Sequence, residues 1–260
     1  AHLLLDAPMR SAYLAAVVCT ALFASSPLKA QQADEPPSFD RPGIGLGTGI
    51  VPRGALALEL GLPSYERDRD ADGLRTEQLS GDVTLRTGLF EHWEVQLSGS
   101  PWQRQRSRLP GTDSTRTRGG GDTQLALKWA VPTSRDTDRW ALLASATVAR
   151  GDAAFSEGRQ YALAGSYEHD FSEQWTGALY ASHSRGDGER STVWSPSVSL
   201  TLTPRLSAFL EAGVTKARGA PRESVAGGGL TWMWTDRVQL DASVDAGLDN
   251  DSPDLQAGLG

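Results

Sequence analysis

The strongest constraint on the fold is an unbroken alternation of apolar and polar residues near the C-terminus, over residues 238–248. Apolar side chains occupy every second position from Val238 to Leu248, with polar or small side chains between them. A period of two residues places the two sets on opposite faces of a β-strand. Soluble strands usually run for about five or six residues, whereas a tilted strand needs about 9–11 to cross a bilayer. This stretch therefore predicts a strand that crosses a membrane.

The same pattern recurs along the chain from Leu56 onward, and a last partial segment begins at Leu255. Two classes of connection alternate strictly between the segments: short turns such as residues 203–205, and mostly longer, charged, Gly-rich loops such as residues 103–120. This sorting is typical of an outer-membrane barrel with tight periplasmic turns and longer extracellular loops. We therefore predict an all-β fold, one transmembrane antiparallel up-and-down β-barrel of about twelve strands over residues 54–260, in the bacterial outer membrane.

Composition excludes several classes of function. The chain of 260 residues has a net charge of −7 and one cysteine, Cys19. Beyond residue 30 no apolar run is long enough for a membrane-spanning helix. The acidic balance, without a Lys/Arg-rich helix, argues against nucleic acid as a partner. Cys19 falls in the part that we expect to be removed, so the mature protein would contain no disulfide.

The first 53 residues predict two segments ahead of the barrel. Residues 1–30 have the pattern of a signal peptide, with a charged start at Met9-Arg10, an apolar centre over residues 11–24, and residues 1–8 as an upstream extension. A buried N-terminal helix is the alternative. Residues 31–53 are predicted to be a linker and N-terminal segment, in which the polar, Pro-rich residues 31–40 have no structure of their own.

Most tryptophans lie within a few residues of a predicted short turn. Membrane barrels carry girdles of aromatic residues at both water interfaces. We therefore predict one girdle at the periplasmic interface, with Trp102 and Trp194 in a thinner belt at the other. The alternative is core packing in a soluble periplasmic β-sandwich. The predicted girdle consists of Trp93, Trp129, Trp140, Trp175, Trp232 and Trp234.

In a barrel, the polar faces of the strands would point into the lumen, and they carry charges of both signs. A buried charge must be paired or hydrated, because isolated burial costs several kcal/mol or more. Two interpretations therefore stay open: a salt-bridged network that fills the interior, or a water-lined passage that prefers cations because acids outnumber bases. The lumen-lining candidates are Glu59, Asp82, Arg86, Glu94, Lys128, Glu168, Glu211, Asp241 and Asp245.

The predicted loop over residues 103–118 is rich in arginine, and Asp113 is its only acid. A loop of this length could fold into the mouth of the barrel, contact anionic lipopolysaccharide, or stay solvated. We therefore expect membrane lipid and lipopolysaccharide as partners. The candidate residues are Arg104, Arg106, Arg108, Arg116 and Arg118.

No group of residues predicts catalysis, a metal site or a cofactor. A hydrolytic site would need Ser, His and an orienting Asn or acid on one exposed patch. The nearest set is His183-Ser184, with Asp187 as a loop neighbour. No Cys/His spacing suggests a metal site. We therefore expect a protein that is not an enzyme.

Several motifs resemble a bacterial outer-membrane family named for the phenol meta-degradation pathway. The C-terminal stretch over residues 235–248 fits this family as well. The resemblance implies a closed antiparallel barrel with a role in passage, and it supplies no catalytic residue. The matching pieces are D-R-P-G at residues 40–43, V-P-R-G-A-L-A-L-E-L-G at 51–61, L-R-T-G-L-F-E-H-W-E-V-Q-L at 85–97 and G-D-T-Q-L-A-L-K-W at 121–129.

One departure from the family concerns the C-terminus. The chain ends at Gly260 without the terminal aromatic residue that normally closes such barrels. We therefore expect a last strand that is truncated or unusually short.

The predicted function is a passive channel for small solutes whose identity the sequence does not give. The alternative is a plugged barrel with a structural role, or one that binds lipopolysaccharide or a protein.

Overall fold

The computed structural model describes residues 38–70 and 72–260. The predicted signal peptide at residues 1–30, its extension 1–8 and linker residues 31–37 lie outside the described residues. Within the described part of the chain, no helix is long and apolar enough to cross a bilayer. The strands are β1 (Leu56–Arg69), β2 (Arg75–Phe90), β3 (Trp93–Arg108), β4 (Thr115–Gly119), β5 (Thr123–Val131), β6 (Asp138–Ala149), β7 (Gln160–Asp170), β8 (Trp175–Gly186), β9 (Glu189–Thr203), β10 (Leu206–Ala217), β11 (Arg222–Thr235), β12 (Val238–Gly247) and β13 (Leu255–Leu259).

Antiparallel pairing between strands that follow one another in sequence closes the sheet into a barrel. The last strand, β13, pairs with β12 and also with residues 64–67 of β1, so the two ends of the sheet meet. The first half of β3 pairs with β5 and its second half pairs with β4, so β4 and β5 share one position in the wall. This closure confirms the predicted antiparallel barrel of twelve strand positions.

Apolar side chains point away from the interior, as lipid requires. Leu163 is 69% exposed, and Trp93 and Leu240 are also exposed. Among the described residues, the buried hydrophobic side chains are Val51 and four alanines, far too little for the core of a soluble domain. The alternative of a two-sheet sandwich with an apolar core is therefore wrong, and the protein is an outer-membrane barrel.

Six tryptophans lie on the outer surface near the short turns, where the girdle was predicted. Trp93 and Trp129 are directly opposite each other on β3 and β5 and stack with their ring centroids 5.6 Å apart. Trp140 packs against Tyr167 of the neighbouring strand. Trp102 and Trp194 are exposed toward the other end of the barrel. The two sets lie toward opposite ends of the apolar outer surface.

The connections at the long-loop end contain more strand than the sequence predicts. The region that we expected to be a loop, residues 103–118, is a hairpin in which β3 continues to Arg108 and β4 begins at Thr115. Above the membrane both faces of a strand meet water, so the apolar alternation is lost while the backbone hydrogen bonds continue. For this reason a side-chain pattern underestimates the length of these strands.

Candidate functional site: the lumen and the segment inside it

Residues 38–51, which we call the lumen segment, precede β1 and lie inside the barrel. The segment folds back on itself, because the amide of Gly47 donates to the Asp40 carboxylate at 3.1 Å. Between Asp40 and Gly47 the segment contacts the wall at β8 and β10, where Gly45 lies against Tyr180 and Gly43 against Glu211. The sequence did not indicate this position, since the segment lacks strand periodicity.

Two glutamates on the first strands hold the ends of the lumen segment. Glu59 of β1 accepts hydrogen bonds from the amides of Asp40 and Arg41 at 3.0 and 3.1 Å. Glu94 of β3 accepts one from the amide of Val51 at 2.5 Å. Both carboxylates are buried. The two ends of the segment are therefore fixed to the same side of the barrel.

Two further glutamates hold the middle of the lumen segment on the opposite wall. Glu168 of β7 accepts from the amide and the hydroxyl of Thr48 at 3.0 and 2.7 Å. Glu211 of β10 accepts from the amide of Ile44 at 2.8 Å. Among the described residues the segment has no strand partner to satisfy its buried amides, so charged side chains take that place.

A compact ion cluster joins the segment to the wall. Arg86 donates to Glu59 at 2.6 Å and to both carboxylate oxygens of Glu94 at 2.7 and 3.1 Å. Lys128 donates to Asp40 at 2.6 Å. Arg86, Lys128 and Glu94 have no exposed surface. These candidates therefore form a network, which offsets the cost of desolvating each charge.

Several residues of this network were not singled out from the sequence. Arg41 of the segment pairs with Asp241 at 3.2 Å, and Gln239 donates to the carbonyl oxygen of Arg41 at 3.0 Å. Arg139 on β6 pairs with Glu168 at 3.2 Å and also with Asp170. The available signals were the D-R pair in the family motif at residues 40–41 and the position of Arg139 on the polar face of its strand.

Two of the candidate acids lie apart from the segment. Asp82 accepts hydrogen bonds from the hydroxyls of Ser64, Ser80 and Ser100 at 2.5, 3.2 and 2.5 Å. Asp245 is buried, and its Oδ1 atom has no hydrogen-bond partner among the described residues. Neither acid forms a salt bridge within residues 38–70 and 72–260. The lumen segment therefore binds neither of these two carboxylates.

A cavity of about 350 Å³ lies beside the lumen segment. Its wall comes from the side of the barrel that runs from β6 to β12, and its other side is the segment itself. Hydroxyl-bearing side chains predominate on the wall side of the cavity, and three aromatic rings, those of Phe39, Tyr180 and Phe209, also line it. The hydroxyl-bearing residues are Ser166, Thr176, Ser195, Ser197, Ser199, Ser207 and Thr231.

The structure does not bring the other candidates into the lumen. The five arginines of residues 103–118 lie on the hairpin that β3 and β4 form, beyond the long-loop end of the apolar band. His183 is opposite the lipid-facing Leu163, so its neighbour Ser184 points to the other face of the wall. The pair is therefore not assembled on one patch.

Comparison with known proteins agrees with this architecture. Residues 39–260 match the family described as "Putative MetA-pathway of phenol degradation". An outer membrane channel from Pseudomonas putida F1 has a similar structure, with a TM-score of 0.65 and 13% identity over 84% of this chain and 97% of that chain.

Two more distant barrels share the fold. The NanC porin aligns with a TM-score of 0.51 and 7% identity over 77% of this chain and 97% of that chain. The β domain of the Bordetella autotransporter BrkA gives 0.50 and 14% over 77% and 98%. No curated protein sequence matches the chain significantly.

Proposed function

We propose that this chain, which belongs to the phenol-degradation family that matches residues 39–260, is a passive outer-membrane channel for small solutes. The lumen segment would limit flow through the barrel. The observation that carries this proposal is the hydroxyl-lined cavity of about 350 Å³ between the segment and the wall. A barrel filled throughout by its own side chains would leave no such space.

The way in which the segment is held favours a movable constriction. Its amides bind Glu59, Glu94, Glu168 and Glu211 through hydrogen bonds, and the Lys128–Asp40 and Arg41–Asp241 ion pairs add to them. Each hydrogen bond has a net value of only about 0.5–3 kcal/mol, because its groups bind water when they separate. The segment can therefore leave the lumen while the backbone hydrogen bonds between the wall strands keep the barrel closed.

The chemistry of the cavity suggests the class of solute. Hydroxyls and carboxylates line the cavity together with the guanidinium groups of Arg41 and Arg139, and three rings come from Phe39, Tyr180 and Phe209. This surface suits a small polar solute better than an apolar one. The lumen acids Asp82 and Asp245, outside the salt-bridged network, would favour cations over anions in the water that fills the pore.

A transport role is also preferred over catalysis. The candidate pair His183 and Ser184 points to opposite faces of β8, and His183 Nδ1 contacts the Thr192 hydroxyl at 2.8 Å. The solved barrels with this fold include one described as an outer membrane channel and one as a porin.

Single-channel recording in planar bilayers tests the proposal. The variants are the intact barrel, a deletion of residues 38–51, and a control in which a Gly/Ser sequence of equal length replaces those residues. We expect a small conductance from the intact barrel and a severalfold larger one from the deletion, because the bore of about twelve strands lies between filled and wide barrels. The control should conduct between the two, because the Gly/Ser sequence keeps the backbone amides that the glutamates bind but lacks the ion pairs of Asp40 and Arg41.

The alternative of a plugged barrel with a structural or binding role predicts a different result. In that case neither the intact barrel nor the deletion would conduct above the lipid baseline, even after removal of residues 103–118. If conductance is found, uptake assays in a deletion strain, with panels of polar and aromatic solutes, would identify the solute.

A further inference from the structure

We infer that the outward face of the β3–β4 hairpin binds the phosphate groups of lipopolysaccharide. This face, which we call the arginine face, is formed by Arg104, Arg106, Arg108, Arg116 and Arg118. The inference concerns the outer surface of the wall and does not depend on conduction through the lumen.

Strand register fixes the direction in which these arginines point. Trp102 is exposed on the outer surface, and alternation places Arg104 and Arg106 on the same face of β3. The intervening residue Gln103 points inward, where its side-chain Oε1 accepts a hydrogen bond from Gln78 Nε2 at 3.2 Å. The arginine face is therefore directed toward the surroundings of the barrel and not into its mouth.

The pairing brings like charges together. Arg104 is directly opposite Arg118, and Arg106 is directly opposite Arg116. Like charges in directly opposed positions destabilise a strand pair. Within residues 38–70 and 72–260, none of these four side chains forms a salt bridge. The arrangement becomes favourable when an anion lies between the opposed guanidinium groups.

The neighbouring strands supply little negative charge to this face. Glu77 of β2 is opposite Arg106, but it pairs with Arg75 at 2.5 Å. On β1, Arg67 is opposite Glu77 and pairs with Asp254 at 3.4 Å. Arg75 and Arg67 add further positive charge beside the arginine face. Glu77 and Asp254 are thus already engaged, and Asp113 is the only acid of residues 103–118, so the hairpin keeps a net positive surface.

The position of the arginine face relative to the membrane interface indicates which anion it binds. Trp102 belongs to the aromatic belt that marks the membrane interface at the long-loop end. Arg104 and Arg106 follow it along β3, so they lie about 7 and 13 Å further along the strand. That is the level of lipid headgroups in the outer leaflet. Guanidinium groups bind phosphate oxygens in a bidentate manner, and lipopolysaccharide presents several phosphates there.

The test uses full barrel purified in detergent, with Arg104, Arg106, Arg116 and Arg118 all changed to Gln. Lipid binding is measured by native mass spectrometry, with a deep-rough lipopolysaccharide of two sugar-acid residues on lipid A as the probe. We expect at least about a tenfold loss of affinity, equivalent to about 1.4 kcal/mol. A second variant, with Lys at the four positions, should lose less, because it keeps the charge but not the bidentate geometry.

The matched control changes four arginines at the short-turn end to Gln, namely Arg53, Arg135, Arg205 and Arg237. This control has the same net charge and should bind within about twofold of the unchanged barrel. Dephosphorylated lipid A and phosphatidylglycerol should bind the unchanged barrel as weakly as the probe binds the Gln variant. Heat-modifiable migration in gels verifies that each variant is folded. If the Gln variant does not fold, the Lys variant provides the test.

Three results would overturn the inference. One is equal affinity of the folded Gln variant and the unchanged barrel for the probe. Another is an equal loss of affinity in the short-turn control, which would indicate a general charge effect. The third is equal binding of phosphatidylglycerol, which would indicate any anionic lipid and not the phosphates of lipopolysaccharide.

Discussion

Arg86 connects more of the interior than any other side chain of the ion cluster. Its guanidinium contacts the carboxylates of Glu59 and Glu94 and the backbone carbonyl oxygen of Ser38. Removal of this cation would leave two buried carboxylates without a counter-charge. Such a loss is far more costly than the loss of an exposed ion pair.

The substitution Arg86→Met tests this role. We expect it to lower the free energy of unfolding by about 3–5 kcal/mol, because it breaks a buried ion cluster and keeps the volume of the side chain. The measurement is urea unfolding in detergent micelles, followed by tryptophan fluorescence. The control is Arg135→Met at an exposed position, where a change below about 1 kcal/mol is expected. Equal effects of the two substitutions would contradict the buried-cluster account.

Substitution of the lumen acid Asp245 should change ion selectivity without changing how the lumen segment is held. Asp245 is buried and makes no salt bridge among the described residues. We expect Asp245→Asn to lower the cation-to-anion permeability ratio by roughly twofold, because it removes a carboxylate that is charged where the water of the conducting pore reaches it. Reversal potentials in a salt gradient measure this ratio. The control, Asp236→Asn in an exposed short turn, should leave the ratio unchanged.

Asp241→Asn should lower the ratio too, for a second reason. Asp241 pairs with Arg41, so its neutralisation leaves the positive charge of Arg41 uncompensated in the lumen. An unchanged ratio in both Asp241→Asn and Asp245→Asn would mean that ions do not pass these side chains.

At the scale of elements, the lumen segment and the wall follow different rules. Each wall strand is specified by its own alternation, while the segment is specified by the side chains it touches. Glycines at residues 43, 45, 47 and 49 alternate along the segment and let its backbone approach the wall. A Cβ atom at Gly45 would lie 2.9 Å from the Cβ of Tyr180.

This close approach separates two otherwise similar substitutions. Gly45→Ala should displace the segment from Tyr180, because the clash involves an atom fixed to the backbone of β8. Gly47→Ala should be tolerated, since its nearest neighbour is the Asp40 carboxylate at 3.5 Å. We expect higher conductance and faster proteolysis of the segment in the first variant only. Identical proteolysis of the two variants would show that the close approach does not hold the segment.

The difference between wall and segment also explains what could be predicted from the sequence. Period-two alternation places Glu59, Arg86 and Glu168 on the lumen face regardless of their partners, because the backbone alone determines the face. The partners of the segment cannot be read in this way. The amide of Ile44 binds Glu211, which is 167 residues away in sequence.

The hairpin of β3 and β4 shows a second limit to what the sequence predicts. Its residues are polar on both faces, so no apolar stripe predicts a strand, and the sequence suggested a loop. The arginines were visible in the sequence, but their direct opposition was not, because register depends on where the turn falls.

For the molecule as a whole, closure of the wall and occlusion of the lumen come from separate parts of the chain. The wall is a continuous ladder that β13 closes against β1, and the segment adds contacts only on the inside. The two ends of the sheet meet where β13 pairs with residues 64–67 of β1, and this pairing does not involve the lumen segment.

Deletion of residues 38–51 should therefore leave a folded barrel. We expect heat-modifiable migration in gels to persist, with a lower unfolding midpoint because Arg86 and Lys128 lose their contacts with Asp40. Restoring the deleted peptide in trans should raise the midpoint again if the binding surface survives. Loss of the folded form on deletion would show that the segment helps to build the wall.

The route of the lumen segment also has a consequence for assembly. Its partners come from both halves of the chain: Glu59 and Glu94 near the beginning, Glu211 and Asp241 near the end. The complete docking surface exists only after the later strands have joined the earlier ones. The first described residues to be synthesised therefore cannot reach their final place until these later strands have joined the barrel.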